Sequence, residues 1–104
     1  MRARIDLAVD RAPTELVRAI VVPLDQHLRT ERVGRVIRHR VSELEINIDV
    51  SLRQRSDLDY IGEFLVRAGA PVGSVIYRYD WLGRKQDIFV LGPEIDEGDT
   101  LDVK

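Results

Sequence analysis

In the stretch ELEINIDVSLR, Leu44, Ile46, Ile48, Val50 and Leu52 alternate without a break with Glu43, Glu45, Asn47, Asp49, Ser51 and Arg53. A period of two places the apolar side chains on one face and the polar ones on the other, which is the pattern of a strand with one dry and one wet side. Wound into a helix, the same residues would scatter their apolar groups around the rod, so the stretch calls for a sheet. The period then changes. Leu58, Ile61, Phe64, Leu65 and Ala68 recur at spacings of three and four and predict an amphipathic helix, with Asp59, Glu63 and Arg67 four apart on its outer side. Ser56 is the expected N-cap, and Asp57 and Asp59 meet the positive end of the helix dipole. Gly69 can adopt the left-handed conformation that ends a helix, and Pro71 bars continuation. Val72-Gly73-Ser74 turns the chain into VIYRYDW, rich in β-branched and aromatic residues. Residues 43–79 therefore read as a β-α-β unit.

The same logic organises the N-terminal half. Ala3, Ile5, Leu7 and Val9 alternate with Arg2, Arg4, Asp6 and Ala8 and predict a first strand. Pro13 and Glu15 suit a first helical turn, and Leu16, Val17, Ile20, Val21, Leu24 and Leu28 trace the apolar stripe that follows. Pro23 sits inside this stripe, where a missing amide and a steric clash cost about 3 kcal/mol, so a kink or a new helix is expected there. A strand over about Val33 to Arg40 is expected to form a hairpin through Val41-Ser42, placing Ile37 opposite Ile46, Val33 opposite Val50, Arg38 opposite Glu45 and Arg40 opposite Glu43. After a turn at Leu82-Gly83-Arg84-Lys85, a last strand over Asp87 to Leu91 pairs with VIYRYDW, and Gly92-Pro93 stops it. The expected fold class is α+β: a ferredoxin-like β-α-β-β-α-β with an extra C-terminal strand, an antiparallel sheet carrying two helices on one face.

A chain of 104 residues, 44% hydrophobic and 33% charged, is long enough to bury a core and too apolar for disorder. One domain over residues 1–93 is expected. Residues 94–104 carry five acids against Lys104 and read as a flexible acidic tail. Without cysteine there is no disulfide, thiolate metal site or cysteine nucleophile. No apolar run approaches the roughly 20 residues of a membrane span, and the alternating N-terminus makes no signal peptide, so a cytoplasmic protein is expected.

His27 and His39 lie on different predicted elements without metal-ligand spacing, and read as ordinary boundary or surface histidines. A Ser-His-Asp set could be drawn through Ser42 and His39, but any acid-rich sequence permits that. Asp96, Glu97 and Asp99 lack the ligand spacing of a calcium loop. No phosphate-binding glycine loop is present. Neither cofactor, metal nor catalytic residues are expected, and the chain reads as a non-enzyme. The candidate partner-binding aromatics are Tyr77, Tyr79 and Trp81, projecting from one side of a strand. The alternative for the aromatics is that they line the core with Ile76 outward. The basic run Arg29, Arg32, Arg35, Arg38 and Arg40 permits an RNA-binding reading, but the glycine and aromatic signature of RNA-recognition modules is absent and neighbouring acids can pair with the arginines. Nucleic acid is therefore the less favoured partner.

At LVRAGAPVGSVIYRYD, from Leu65 to Asp80, the chain resembles small bacterial immunity proteins that accompany secreted or contact-delivered toxins. The resemblance implies a cytoplasmic inhibitor that binds a single cognate toxin and occludes its active site, with the acids Glu43, Glu45 and Asp49 and the acidic tail as partner-binding groups for a basic, nuclease-type toxin. Alternatives are a regulatory, ligand-sensing domain that self-associates through its open sheet as a homodimer, and an RNA-binding domain using the arginine run.

Overall fold

The alternating stretches become a five-stranded antiparallel sheet. A computed structural model describes residues 1–92; the acidic segment expected as a tail, with Asp96, Glu97 and Asp99, lies outside the described residues. The strands are β1 (Arg2–Ala8), β2 (Gly34–Val41), β3 (Glu45–Leu52), β4 (Val75–Tyr79) and β5 (Lys85–Val90), in the order β2-β3-β1-β4-β5. Between β1 and β2 the chain runs through α1 (Pro13–Leu16), a π-helical turn (Val17–Val21) and α2 (Val22–Thr30); α3 (Asp57–Ala68) joins β3 to β4. The fold is thus α+β and compatible with a ferredoxin-like type, its strand order departing from a bare four-stranded pattern in that β5 lies outside β4.

Register explains the two-faced sheet. Ala3, Ile5 and Leu7 oppose Val50, Ile48 and Ile46, and Ile5 also opposes Ile76. These side chains form one cluster with Leu16, Ile20, Leu24 and Leu28 of the first helical rod and Ile61 and Leu65 of α3, so both helices cover the same face. Each fully buried leucine or isoleucine contributes about 1.5–3 kcal/mol relative to exposure. The other face carries Arg4 opposite Asp49 and Asp6 opposite Asn47. Among the described residues no helix is long and apolar enough to cross a membrane.

The new helix expected at Pro23 is present within one residue: the winding changes from π to α, and α2 starts at Val22 with Pro23 in its first turn. The π turn precedes it, with the Val22 amide reaching the Val17 carbonyl, and this wider winding shifts the bonding register just where proline lacks a donor. Other local expectations are corrected. Ser56 does not cap α3, because its backbone is already right-handed (φ −63°, ψ −16°) and its hydroxyl makes no cap bond. The buried Asp57 carboxylate instead accepts the Gln54 amide at 3.2 Å. Gly69 does end α3 at φ 83°, with the Ala70 amide donating to Leu65 and the Gly69 amide to Val66.

The β2–β3 hairpin turns later than expected. Val41 opposes Ile46 across residues 42–45, which puts Arg38 opposite Asp49 and Arg40 opposite Asn47, with a bulge between Val36 and Arg38. Ser42 supplies the turn geometry that Val-Ser could not provide as a two-residue loop: its amide and hydroxyl both donate to the Glu45 carbonyl. Leu44, expected at the start of the alternating strand, is therefore 83% exposed in this loop.

The Gly-Ala-Pro-Val-Gly-Ser stretch is a junction. Ser74, fully buried, accepts the Ala8 amide on its hydroxyl at 3.0 Å and the Leu91 amide on its carbonyl, while the Gly73 amide donates to Leu91. The end of β1, the entry to β4 and the end of β5 are thereby tied at one point.

Candidate functional site

The two sides of the β4–β5 hairpin separate the aromatic residues that the sequence grouped. Ile76 points into the core, so the reading with Ile76 outward is excluded. Tyr77 and Tyr79 lie on the open face, opposite the helices, where Tyr77 pairs with Arg4 across the strands. They are not equivalent. Tyr77 is 2% exposed, packed edge-on against Tyr79 with ring centroids 5.4 Å apart and the Lys85 ammonium 4.4 Å from its ring centre. Burial, with hydrogen bonding to Tyr79 and Asp6, pushes its hydroxyl well above the usual tyrosine range. Tyr79 is half-exposed, with the Arg4 guanidinium 5.8 Å from its ring centre.

Trp81 does not continue the strand. β4 ends at Tyr79, and Asp80 organises a tight turn: its carboxylate accepts the amides of Leu82 and Arg84, each at 2.9 Å, and the Arg84 guanidinium. Those backbone bonds from Arg84 and Leu82, despite some desolvation, hold the Asp80 carboxyl below its ordinary value. The turn lifts Trp81 clear of the sheet at 89% exposure, with Leu82 half-exposed beside it. A side-chain carboxylate at the first position of a turn is the signal that could have separated Trp81 from the strand.

The expected acids are also divided. Asp49 accepts Arg4 at 2.9 Å and Arg38 at 2.7 Å. Burial pushes its carboxyl up, but the two guanidinium bonds outweigh that and hold it below its ordinary value. It is a bridge between β1, β3 and β2. Glu45 accepts the Asn47 side-chain amide at 3.0 Å, and that amide also donates to Asp6 at 2.7 Å. Glu43 is exposed in the hairpin loop. The six candidate residues thus fall into three environments: Trp81 at the distal turn, Tyr77, Tyr79 and Asp49 in a packed polar layer, and Glu43 with Glu45 at the opposite end of the sheet.

Sequence reasoning missed the exposed apolar residues farther along β5, beyond the Trp81 turn. On β5, Ile88 (58%) and Val90 (56%) are exposed on the open face, and Phe89, opposite Ile76, is half-exposed on the helix side. Behind Phe89, a groove of about 970 Å³ runs between α3 and β5, lined by Leu58, Val66, Ile76 and Phe89 with Arg55 and Arg67 at its rim. Asp87 holds this edge: it adopts φ 54° at the β4–β5 bulge, and its carboxylate accepts Arg55 at 2.9 and 2.7 Å and also Arg78. An unbroken Ile-Phe-Val run reads as a strand buried on both sides, so nothing in the sequence marks it as an exposed edge.

The histidines are placed apart. His27 is half-buried between α2 and α3, stacked on Tyr60 and Phe64, with Nε2 2.6 Å from the Tyr60 hydroxyl. Burial, then the nearby Glu31 and Asp57 charges, raises the Tyr60 hydroxyl above its usual range. His39 is exposed on β2. Among the described residues no group of three or more metal-ligating side chains converges. Comparison with known proteins found no matching family model, no matching curated protein and no matching solved structure.

Proposed function

We propose that this chain is a non-enzymatic protein-interaction module of the ferredoxin-like type, most concretely a cytoplasmic immunity-type inhibitor that binds and occludes a cognate toxin. The observation that supports it is the β4–β5 hairpin, which exposes Trp81 and Leu82 at its turn and Ile88 and Val90 farther along its outer strand, on a framework held by Asp80 and Asp87. An exposed aromatic beside an exposed leucine at the turn, followed by a run of exposed apolar side chains along the outer strand, is more than scattered single residues and marks a contact surface. Among the described residues β5 is an edge strand, and an edge strand offers backbone groups to a partner strand.

The test is Ile88→Lys and Trp81→Ala, each compared with the wild type in tagged recovery of a stoichiometric partner from native cells. Both positions are solvent-exposed, so unfolding stability is expected to stay within about 0.5 kcal/mol. Partner recovery is expected to fall at least about tenfold, as for a lost hot spot. The recovered protein is expected to be toxic when expressed alone and neutralised by this chain. Recovery of the chain alone, or as a dimer that the same substitutions dissociate, overturns the inhibitor reading and favours self-association.

A further inference from the structure

Across the open face, at the end where β1 begins, the register lines up one residue from each strand. Arg35 of β2 and Arg2 of β1 both oppose Ser51 of β3. The β1–β4 register, carried one residue beyond the Ala3–Arg78 pair, brings Arg2 alongside Tyr79, which opposes Lys85 of β5. The stripe Arg35, Ser51, Arg2, Tyr79, Lys85 thus alternates three cations with two hydroxyl-bearing side chains and contains no acid. With strands about 4.8 Å apart, successive cations stand about 10 Å from one another. Among the described residues Arg2, Arg35 and Lys85 make no salt bridge, whereas Arg4 and Arg38 in the next row are engaged by Asp49. Over the whole face, Arg2, Arg4, Arg35, Arg38, Arg40 and Lys85 stand against Asp6, Glu45 and Asp49, a balance of +3 on a chain whose net charge is −2.

We infer that this stripe is a docking surface for an acidic segment of a protein partner, with the Arg2 and Arg35 guanidinium groups as bidentate carboxylate receptors and Ser51 as a donor between them. A nucleic acid strand fits less well. The central strands β1 and β3 carry no aromatic residue on this face, Tyr77 is buried, Tyr79 has Arg4 against it, and Asp6 and Asp49 lie along the middle. There is no platform on which successive bases stack, and that stacking is what single-strand binders use. The inference rests on the protein-partner reading for its biological target, but the receptor chemistry is testable without that target.

The probe is a fluorescent ten-residue peptide alternating glutamate and serine, followed by anisotropy at about 50 and 200 mM salt. Its controls are the same peptide with glutamine for glutamate and an oligouridylate of equal length. The acidic peptide is expected to bind the wild type in a salt-sensitive manner, with affinity reduced about tenfold in Arg2→Ala/Arg35→Ala. It is expected to bind Arg18→Ala/Arg29→Ala, which removes equal charge from the helix side, as it binds the wild type. Should the double alanine variant fail to fold, Lys85→Gln carries the same test with a smaller expected loss of about threefold. Binding no tighter than that of the glutamine peptide, or equal losses in the helix-side variant, overturns the proposal. Tighter oligouridylate binding that is lost with Arg2 and Arg35 overturns it in favour of nucleic acid. Retention of peptide binding by Ile88→Lys separates the stripe from the apolar hairpin, so either can fail without the other.

Discussion

The sheet has two edges, and they are finished in opposite ways. At β2 the outermost strand carries Arg35, Arg38, His39 and Arg40, is bulged between Val36 and Arg38, and has the Val36 amide occupied by the Asp25 carboxylate of α2 at 2.8 Å. At β5 the outermost strand carries exposed Ile88, Phe89 and Val90, with an open groove rather than a helix beside it. Charge, bulges and a covering side chain are what keep an edge from pairing with other chains. The molecule applies all three to β2, while on β5 the charges Lys85 and Asp87 and the bulge lie in the first half and Ile88 to Val90 carry neither. The surface left adhesive is therefore on one side alone, and that asymmetry is why the β4–β5 hairpin carries the functional proposal.

The largest effect is expected where β2 is welded to its neighbour. A Cβ built on Gly34 falls 2.1 Å from the Ser51 carbonyl oxygen, a backbone atom that cannot retreat without opening the β2–β3 ladder. Gly34→Ala should cost about 3 kcal/mol in urea unfolding. On the other edge, a Cβ on Gly62 of α3 meets the ring of half-exposed Phe89 at 3.4 Å and Ile76 Cδ1 at 3.9 Å, both ordinary contact distances to side-chain ends. Gly62→Ala should be neutral or stabilise by up to about 1 kcal/mol through helix propensity. Equal losses at both glycines would show that β5 is packed as firmly as β2 and would remove the contrast.

Asp25→Ala is the next step down. It leaves the Val36 amide without its acceptor and Arg29 without its partner, and the cost of such a partly buried amide is about 1–2 kcal/mol. The same change unblocks β2, so sedimentation should show concentration-dependent association that the wild type lacks. A stable monomer with normal unfolding would mean that the arginines alone protect the edge.

The sequence announced β2 poorly and β3 well, for a physical reason. β3 is central, buried on one side and wet on the other, and such a strand must alternate. β2 is an edge with a bulge, so its period slips at Ile37, and the expected register was four residues out because the loop length is set by Ser42 hydrogen bonds that no hydrophobic pattern records. Likewise a non-glycine residue, Arg32, takes the left-handed position after α2 (φ 59°), while Gly34 makes the close approach to Ser51, and no hydrophobic pattern records either. Arg32→Gly should consequently stabilise by about 0.5–1 kcal/mol, read as a raised urea midpoint at unchanged slope. Of the candidate site, Tyr79 and Trp81 were legible as aromatics on a late strand. Their division between sheet and turn was not, since it depends on where the Asp80 carboxylate finds its amides.

The finest distinction between the edges is in acid. Asp49 ties β2 and β3 to β1, and Asp87 ties β5 to Arg55 and Arg78; both carboxyls are held below their ordinary values, Asp87 by hydrogen bonds from Arg55 and Arg78 and Asp49 by guanidinium bonds that outweigh burial. A depressed folded-state value means that each bridge contributes stability above the unfolded carboxylate range, near pH 4, and loses it as pH falls through the folded value below that range. The consequences differ by position. When Asp49 is protonated, β2 and β3 still have the buried Val36–Val50 and Ile5–Ile48 layers beneath them. When Asp87 is protonated, a non-glycine residue at positive φ loses the charge pairs that hold the bulge, and the side chains that follow it, Ile88, Phe89 and Val90, are about half-exposed. Amide exchange corrected for intrinsic rates should therefore show β5 losing protection before β2 as pH falls below about 4. If β2 opened first, its apparent blunting would be electrostatic alone, and the packed edge would be β5.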